Sequence, residues 1–284
     1  MSVAVSPGIL DAYLSPGEVF EGEFKVLNPS LSGETISYAI KPAPMTVEDE
    51  LYSLDFEDIT DYSQVLDWIE IEEPTGVLAP HEEKTIKFRI SVPEDAPSGG
   101  QYAAFLVSAN TPDGEEKNAN GVAIKSKSQI AVLFYSTVAG ETRIEGKVVE
   151  NNIYGFYLNQ PIKVSSLISN TGNVHIPATY TLRIFPLFSD EEIYTNEEFP
   201  ETNTVIPGTR LYTEKTWEDT PRLGIYQVEQ EIDFGDIITV EKKLTVVCPT
   251  WFLILVVAFL ASVIFAGIER TMKRRKDKNN PKNH

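Results

Sequence analysis

The chain of 284 residues has a single cysteine, Cys248, so no intrachain disulfide holds it together and its stability must come from core burial. Histidine is as scarce. His81, His175 and His284 lie far apart with no partner motif, which leaves no zinc site or imidazole-based catalysis to propose. G-x-S-x-G and phosphate-loop patterns are missing as well, and Asp/Glu pairs are too abundant for any one pair to indicate acid–base work, so the expectation is a protein that is not an enzyme and carries no cofactor. Basic residues are few outside the last sixteen positions: the formal net charge is −18, and the residues up to Ile268 hold 17 basic against 40 acidic side chains. So negative a surface repels nucleic acid and anionic lipid heads. Two uses of that charge stay open, the recruitment of cations or basic partners and a charged surface that keeps the protein soluble.

Long apolar runs are also absent, with one exception. Trp251–Ile268 is eighteen uncharged, mostly apolar residues, about 27 Å as a helix at roughly 1.5 Å per residue, enough to cross a bilayer core. Pro249 ends any strand before it, and Trp251 sits where an interfacial aromatic belongs. Arg270, Lys273, Arg274, Arg275, Lys276, Lys278 and Lys282 follow, against only Glu269 and Asp277. This predicts a single membrane span over 249–268 with Trp251 at its first interface and Arg270, Lys273, Arg274, Arg275 and Lys276 at its second, a basic cytoplasmic tail over 269–284, and an extracellular region before the span. A buried helix of a soluble domain is the competing reading. MSVAVSPGIL has neither a basic start nor an apolar h-region, so export calls for a leader peptide outside this sequence, or else for a reversed topology that the positive-inside bias opposes. Cys248, just before the span, is open to two readings, a packing residue or an intermolecular crosslink.

Helical periodicity is lacking before the span, and alternation takes its place. Phe20, Phe24 and Val26 oppose Glu21, Glu23 and Lys25; Ile36, Tyr38 and Ile40 repeat the pattern; Ile86, Phe88, Ile90 and Val92 oppose Thr85, Lys87, Arg89 and Ser91. Period two in so many segments, broken by SPG at 15–17, NPS at 28–30, PSGG at 97–100 and PDG at 112–114, predicts half-buried antiparallel strands in a β-sandwich. The grammar recurs: FKVLNPS and VLAPHEEKTIKFRI return as VSSLISNTGN and VIPGTRLYTEKTW, with Asn28 and Asn170 142 apart and Pro80 and Pro207 127 apart. The expected fold is therefore all-β, two tandem immunoglobulin-like β-sandwich domains over 1–140 and 141–248 followed by one C-terminal transmembrane helix. A junction near Gly140 without a flexible linker predicts a stiff rod.

An acidic insertion over 45–73 interrupts the first domain. Asp55, Glu57, Asp58 and Asp61 put four carboxylates within seven residues, which makes calcium a possible ligand, although the glycine and the twelfth-position glutamate of an EF-hand loop are missing. Tyr52, Phe56, Tyr62 and Trp68 offer an aromatic contact surface for a ligand, with pinning of the loop to the sandwich as the other use of Trp68. Loops on such sandwiches carry contacts while sheets supply rigidity, so this insertion and the hairpin around Thr111–Gly121 are the expected recognition elements, and the insertion is expected to be dispensable for folding.

The run from SPG at 15–17 through FKVLNPS, LAPHEEKTIKFRISVPEDAPSGGQYAAF and NTGNVHIP to PTWFLILVV and the basic tail resembles the WxL-interacting proteins of Gram-positive bacteria and their membrane-anchored relatives. That resemblance implies a membrane-distal domain associated with peptidoglycan, a second domain for other surface ligands, and an anchored adhesion or scaffolding role. Trp251 and Leu253 lie in the span and are not the surface motif that names that family's partners. The expected function is a non-enzymatic, single-pass cell-surface protein that binds a cell-wall polymer or another surface protein, with no nucleic-acid partner; the alternative is a structural spacer of a larger membrane complex.

Overall fold

The computed structural model describes residues 2–31, 33–48, 50–110, 116–117, 123–124, 128–196, 201–220, 222–235 and 237–278. Most of the Thr111–Gly121 hairpin lies outside the described residues.

Two sheets face each other in the first sandwich. One orders the strands Ala4–Ser6, Val19–Leu27, Glu83–Ser91 and Ile69–Ile71; the other orders Ile9–Leu14, Ser128–Val138, Gly99–Asn110, Ile36–Pro44 and Thr75–Leu78. The N-terminal segment changes sheets at Pro7–Gly8, pairing antiparallel with Val19–Leu27 and then parallel with Ser128–Val138. Alternation fixes the register: Phe24, Val26, Ile86, Phe88 and Ile90 are buried, while Glu23, Lys25, Lys87 and Arg89 face solvent. Four phenylalanines meet at the centre, with Phe88 4.7 Å from Phe105 and 5.9 Å from Phe134, and Phe24 5.2 Å from Phe105 between ring centroids.

The second sandwich repeats this plan with its strands divided three and six. Gly146–Ile153, Ile162–Asn170 and Arg210–Trp217 form one sheet. Phe156–Leu158, Ile238–Cys248, Gly224–Asp233 and Ile176–Pro186 form the other, with Tyr194–Thr195 and Glu201–Val205 beside its last strand. The sheet-switching entry recurs too: Phe156–Leu158 runs parallel to the final strand, as Ile9–Leu14 does in the first sandwich.

The repeat has a structural cause. Asn28 and Asn170 are both fully buried. Asn28 Nδ2 donates to the Glu34 and Leu78 carbonyls, and Asn170 Nδ2 to those of Val174 and Val205. Each Oδ1 accepts the amide two residues on, from Ser30 and from Gly172. Their backbone oxygens accept from His81 and Gly208, which both sit in the left-handed region, φ 63° and 76°. These two are the same turn position 127 residues apart. A Cβ at Gly208 meets nothing within 4 Å, so its cost is conformational alone. Gly208→Ala is expected to lower stability by about 1–2 kcal/mol by chemical denaturation; an unchanged midpoint would mean the turn adopts another geometry.

One α-helix, Thr250–Lys278, ends the described chain. It runs ten residues past the expected end at Ile268 and carries Arg270, Lys273, Arg274, Arg275 and Lys276 on helical backbone, because nothing in ERTMKRRKDK breaks a helix. Its span Thr250–Arg275 is long and apolar enough to cross a membrane, and none of its apolar stretch is buried. Only Pro249 separates it from the last strand. Asn159, reaching over from the second sandwich, accepts the Thr250 amide at 3.0 Å on Oδ1 and donates its own amide to the Cys248 carbonyl at 3.0 Å, so the helix start is tied to the sheet it leaves. Cys248 itself is buried there.

Candidate functional site

Alternation fails along the strand Gly99–Asn110, and that failure locates the site. Gly99–Asn110 is buried on nearly every residue: Ala103, Phe105 and Val107 face the core, while Tyr102, Ala104 and Leu106 face outward beneath the 45–73 insertion. The insertion is therefore a third layer. Thr46–Val47 pairs with Leu54–Asp55, and a 3₁₀ helix spans Asp61–Trp68, a helical turn that no periodicity in the sequence announced. Thr60 and Ser63 cap its start reciprocally. Gln101 holds it down, Oε1 accepting from the Val65 amide at 3.3 Å and Nε2 donating to the Asp61 carbonyl at 3.4 Å.

Between the insertion and the outer sheet face lies an open groove of about 840 Å³. Ala43, Leu106, Ile130 and Ala131 line its apolar side, and Phe56, Ile59, Asp55, Glu57 and Lys41 complete it. An apolar floor with a few charged groups at the rim suits an extended ligand with alternating apolar and polar groups.

The four sequence-predicted aromatics go to four different places. Phe56 lines this groove. Tyr62 packs on Tyr102, ring centroids 6.2 Å apart, and Trp68 packs against the first core. Tyr52 reaches the second sandwich: its hydroxyl donates to the Thr204 carbonyl and accepts from the Ile206 amide at 3.0 Å. Burial pushes the Tyr52 phenol up, so it stays neutral and able to donate. Of the carboxylates, Asp55 accepts from the Glu57 and Asp58 amides at 2.9 and 2.8 Å, which holds its carboxyl below the usual range, and Asp61 opens the 3₁₀ helix. Among the described residues no group of three or more His, Cys, Asp or Glu side chains is placed to hold a metal ion.

The insertion is thus also a strap between the sandwiches. Glu50 accepts the Tyr212 amide on its carbonyl at 2.6 Å and faces Arg210 at 3.3 Å. Beside it, Gly100 donates to the Asn173 carbonyl at 2.7 Å, and His175 sits against the Tyr102 and Tyr135 rings at 5.8 and 5.4 Å. Met45, Tyr102, Ala104, Tyr135 and Ile206 close the joint as one buried cluster. This packing runs against the expectation that the insertion is dispensable for folding. Tyr52→Phe is expected to cost about 1–3 kcal/mol, through the buried Ile206 amide left without its acceptor, and to lower the melting of the joint by calorimetry; a wild-type trace would mean the strap bears no load. Gln101 and His175 are the residues to which sequence reading gave no part in the site, since only the fold brings them to the joint.

No family model matches the chain, and no curated protein does. Solved structures do at low identity. The E. coli chaperone DraB is 8% identical, with 87% of this chain and 98% of that one covered at a TM-score of 0.38. A chain of the Salmonella enterica SafA pilin complex with the SafB chaperone is 11% identical, with 86% and 96% covered at 0.39. A chain of the chaperone and tip-adhesion-subunit complex from the Csu pili of Acinetobacter baumannii is 9% identical, with 87% and 99% covered at 0.38.

Proposed function

We propose that this chain is a non-enzymatic, single-pass protein of the cell envelope whose two sandwiches stand outside the membrane and bind a cell-wall polymer or another surface protein along the groove beneath the 45–73 insertion. The observation that carries this reading is the uncovered apolar helix leaving the last strand across Pro249 alone, with its basic residues at the far end. The groove supports the binding half of the reading: it is open, apolar-floored and edged by Asp55, Phe56, Glu57 and Ile59 of the insertion. The resemblance to WxL-interacting proteins favours peptidoglycan as the polymer. In this reading Trp251 marks the outer interface, and the acidic outer surface selects against anionic partners.

Full-length protein in detergent, incubated with isolated cell wall, tests the groove. Ala131→Arg fills its floor from a partly buried position on the outer sheet face and is expected to abolish retention, with a cooperative melt showing that the variant is folded. Equal retention of both proteins would place binding elsewhere. A second reading, a rigid spacer in a larger complex, is favoured by the strapped joint and by the Asn159 tie at the helix start; it predicts no retention by either protein and co-purification with a membrane partner.

A further inference from the structure

The outward face of the second sandwich changes character along its length. On the strand Ile238–Cys248 the even-numbered residues point outward, and strand register places their neighbours in rows. Lys242 lies level with Glu229 and Arg183, and this row is ion-paired, Lys242 to Glu229 at 2.6 Å, with Arg183 reaching Glu231 at 2.8 Å. Two rows nearer the helix, Phe156, Val246 and Ile225 stand side by side, and Leu158 and Leu223 follow at the last row. Phe156, Leu158, Leu223 and Ile225 are all exposed. Beyond Pro186 the chain turns through Phe188, which is 98% exposed and held at that level because the Leu187 amide donates to the Ile225 carbonyl at 2.9 Å. Leu244, Val240 and Ile238 are exposed on this strand as well, so apolar side chains stand on both sides of the ion-paired row, and those at the helix end adjoin the span.

This apolar end is also the end from which the helix leaves. Pro249 and the Asn159 tie allow no slack between Cys248 and Trp251, so if the helix spans a bilayer, these side chains are carried to its surface. We propose that the helix-proximal end of the second sandwich is a membrane-apposed surface, with Leu158, Phe188 and Leu223 resting with Trp251 in the headgroup layer, so that the outer domains are seated on the bilayer and not merely tethered to it. The proposal rests on the spanning reading of the helix. It commits to the lipid surface because the patch is continuous with the span, which leaves the last strand across Pro249 alone. Interfacial apolar side chains reach about 5–10 Å into the headgroup boundary, a depth that matches the last two rows. Glu218 and Asp219 stand in the turn that Gln160 holds through the Thr220 carbonyl at the same end, while Arg222 faces Trp251 across a small pocket, so the surface suits neutral over anionic headgroups.

Nitroxide depth measurements on full-length protein in phosphatidylcholine vesicles test this, with Cys248→Ser as the background if its thiol reacts. Labels are placed at Phe188→Cys and Leu223→Cys, with Val257→Cys inside the span and Leu31→Cys on the distal sandwich as references. The proposal predicts oxygen-over-nickel accessibility at 188 and 223 between the two references, falling toward the Leu31 value when phosphatidylglycerol replaces half the lipid. Readings at 188 and 223 equal to that at 31, with 257 in lipid, would overturn the proposal and leave the span standing. An aqueous reading at 257 would remove the span and the proposal together. Protection at 188 that rises with protein density would assign the face to a second copy of the chain and overturn it as well.

Discussion

Phe88→Ala is expected to lower stability by about 3–5 kcal/mol, the largest single effect in the first sandwich. Its ring touches those of Phe20, Phe24, Phe105 and Phe134, and Gly22 leaves room for it across the strand pair, where a Cβ would stand 2.3 Å from the ring. Four aromatic neighbours from both sheets cannot collapse into the space without moving backbone, so the cavity term adds in full to the lost transfer energy. Lys87→Ala, one residue away on the opposite face, is expected to stay within about 0.5 kcal/mol. Paired urea melts decide the register, and similar losses at the two positions would refute it.

Asn170→Ala is expected to cost about 2–4 kcal/mol, and Asn28→Ala a similar amount. Each substitution strips the partner from two carbonyls and one amide around a fully buried position, and no water-sized side chain replaces them. The shared geometry makes the pair informative: because the two lie in different sandwiches, their effects should add in the double variant. Calorimetry of the three proteins checks this. An Asn170→Ala protein as stable as wild type would mean the buried bracket is not what defines the repeat.

Much of the architecture was legible because exposed-face charge alternates with core residues. Phe24, Ile86 and Phe88 fall on the buried face that period two predicts, and the Asn28 and Asn170 repeat marked two copies of one plan. Legibility ended where a strand is covered on both sides. QYAAFLV carries no alternation because Tyr102, Ala104 and Leu106 lie under the insertion, and nothing local in residues 45–73 says which sheet face they will cover. Tyr52 was singled out for its ring, but its role comes from Thr204 and Ile206, more than 150 positions away. The helix overran its expected end for a simpler reason: loss of hydrophobicity marks the edge of a span, not the edge of a helix, and Lys and Arg are good helix formers.

Protease digestion of intact protoplasts producing the full chain with a tag after His284 tests the central claim, an outward sandwich pair on a single span. The account predicts that the region before Trp251 is digested while a fragment carrying the helix and the tag survives until the membrane is lysed. Protection of the sandwiches with loss of the tag would reverse the topology, and complete digestion of both ends would remove the span.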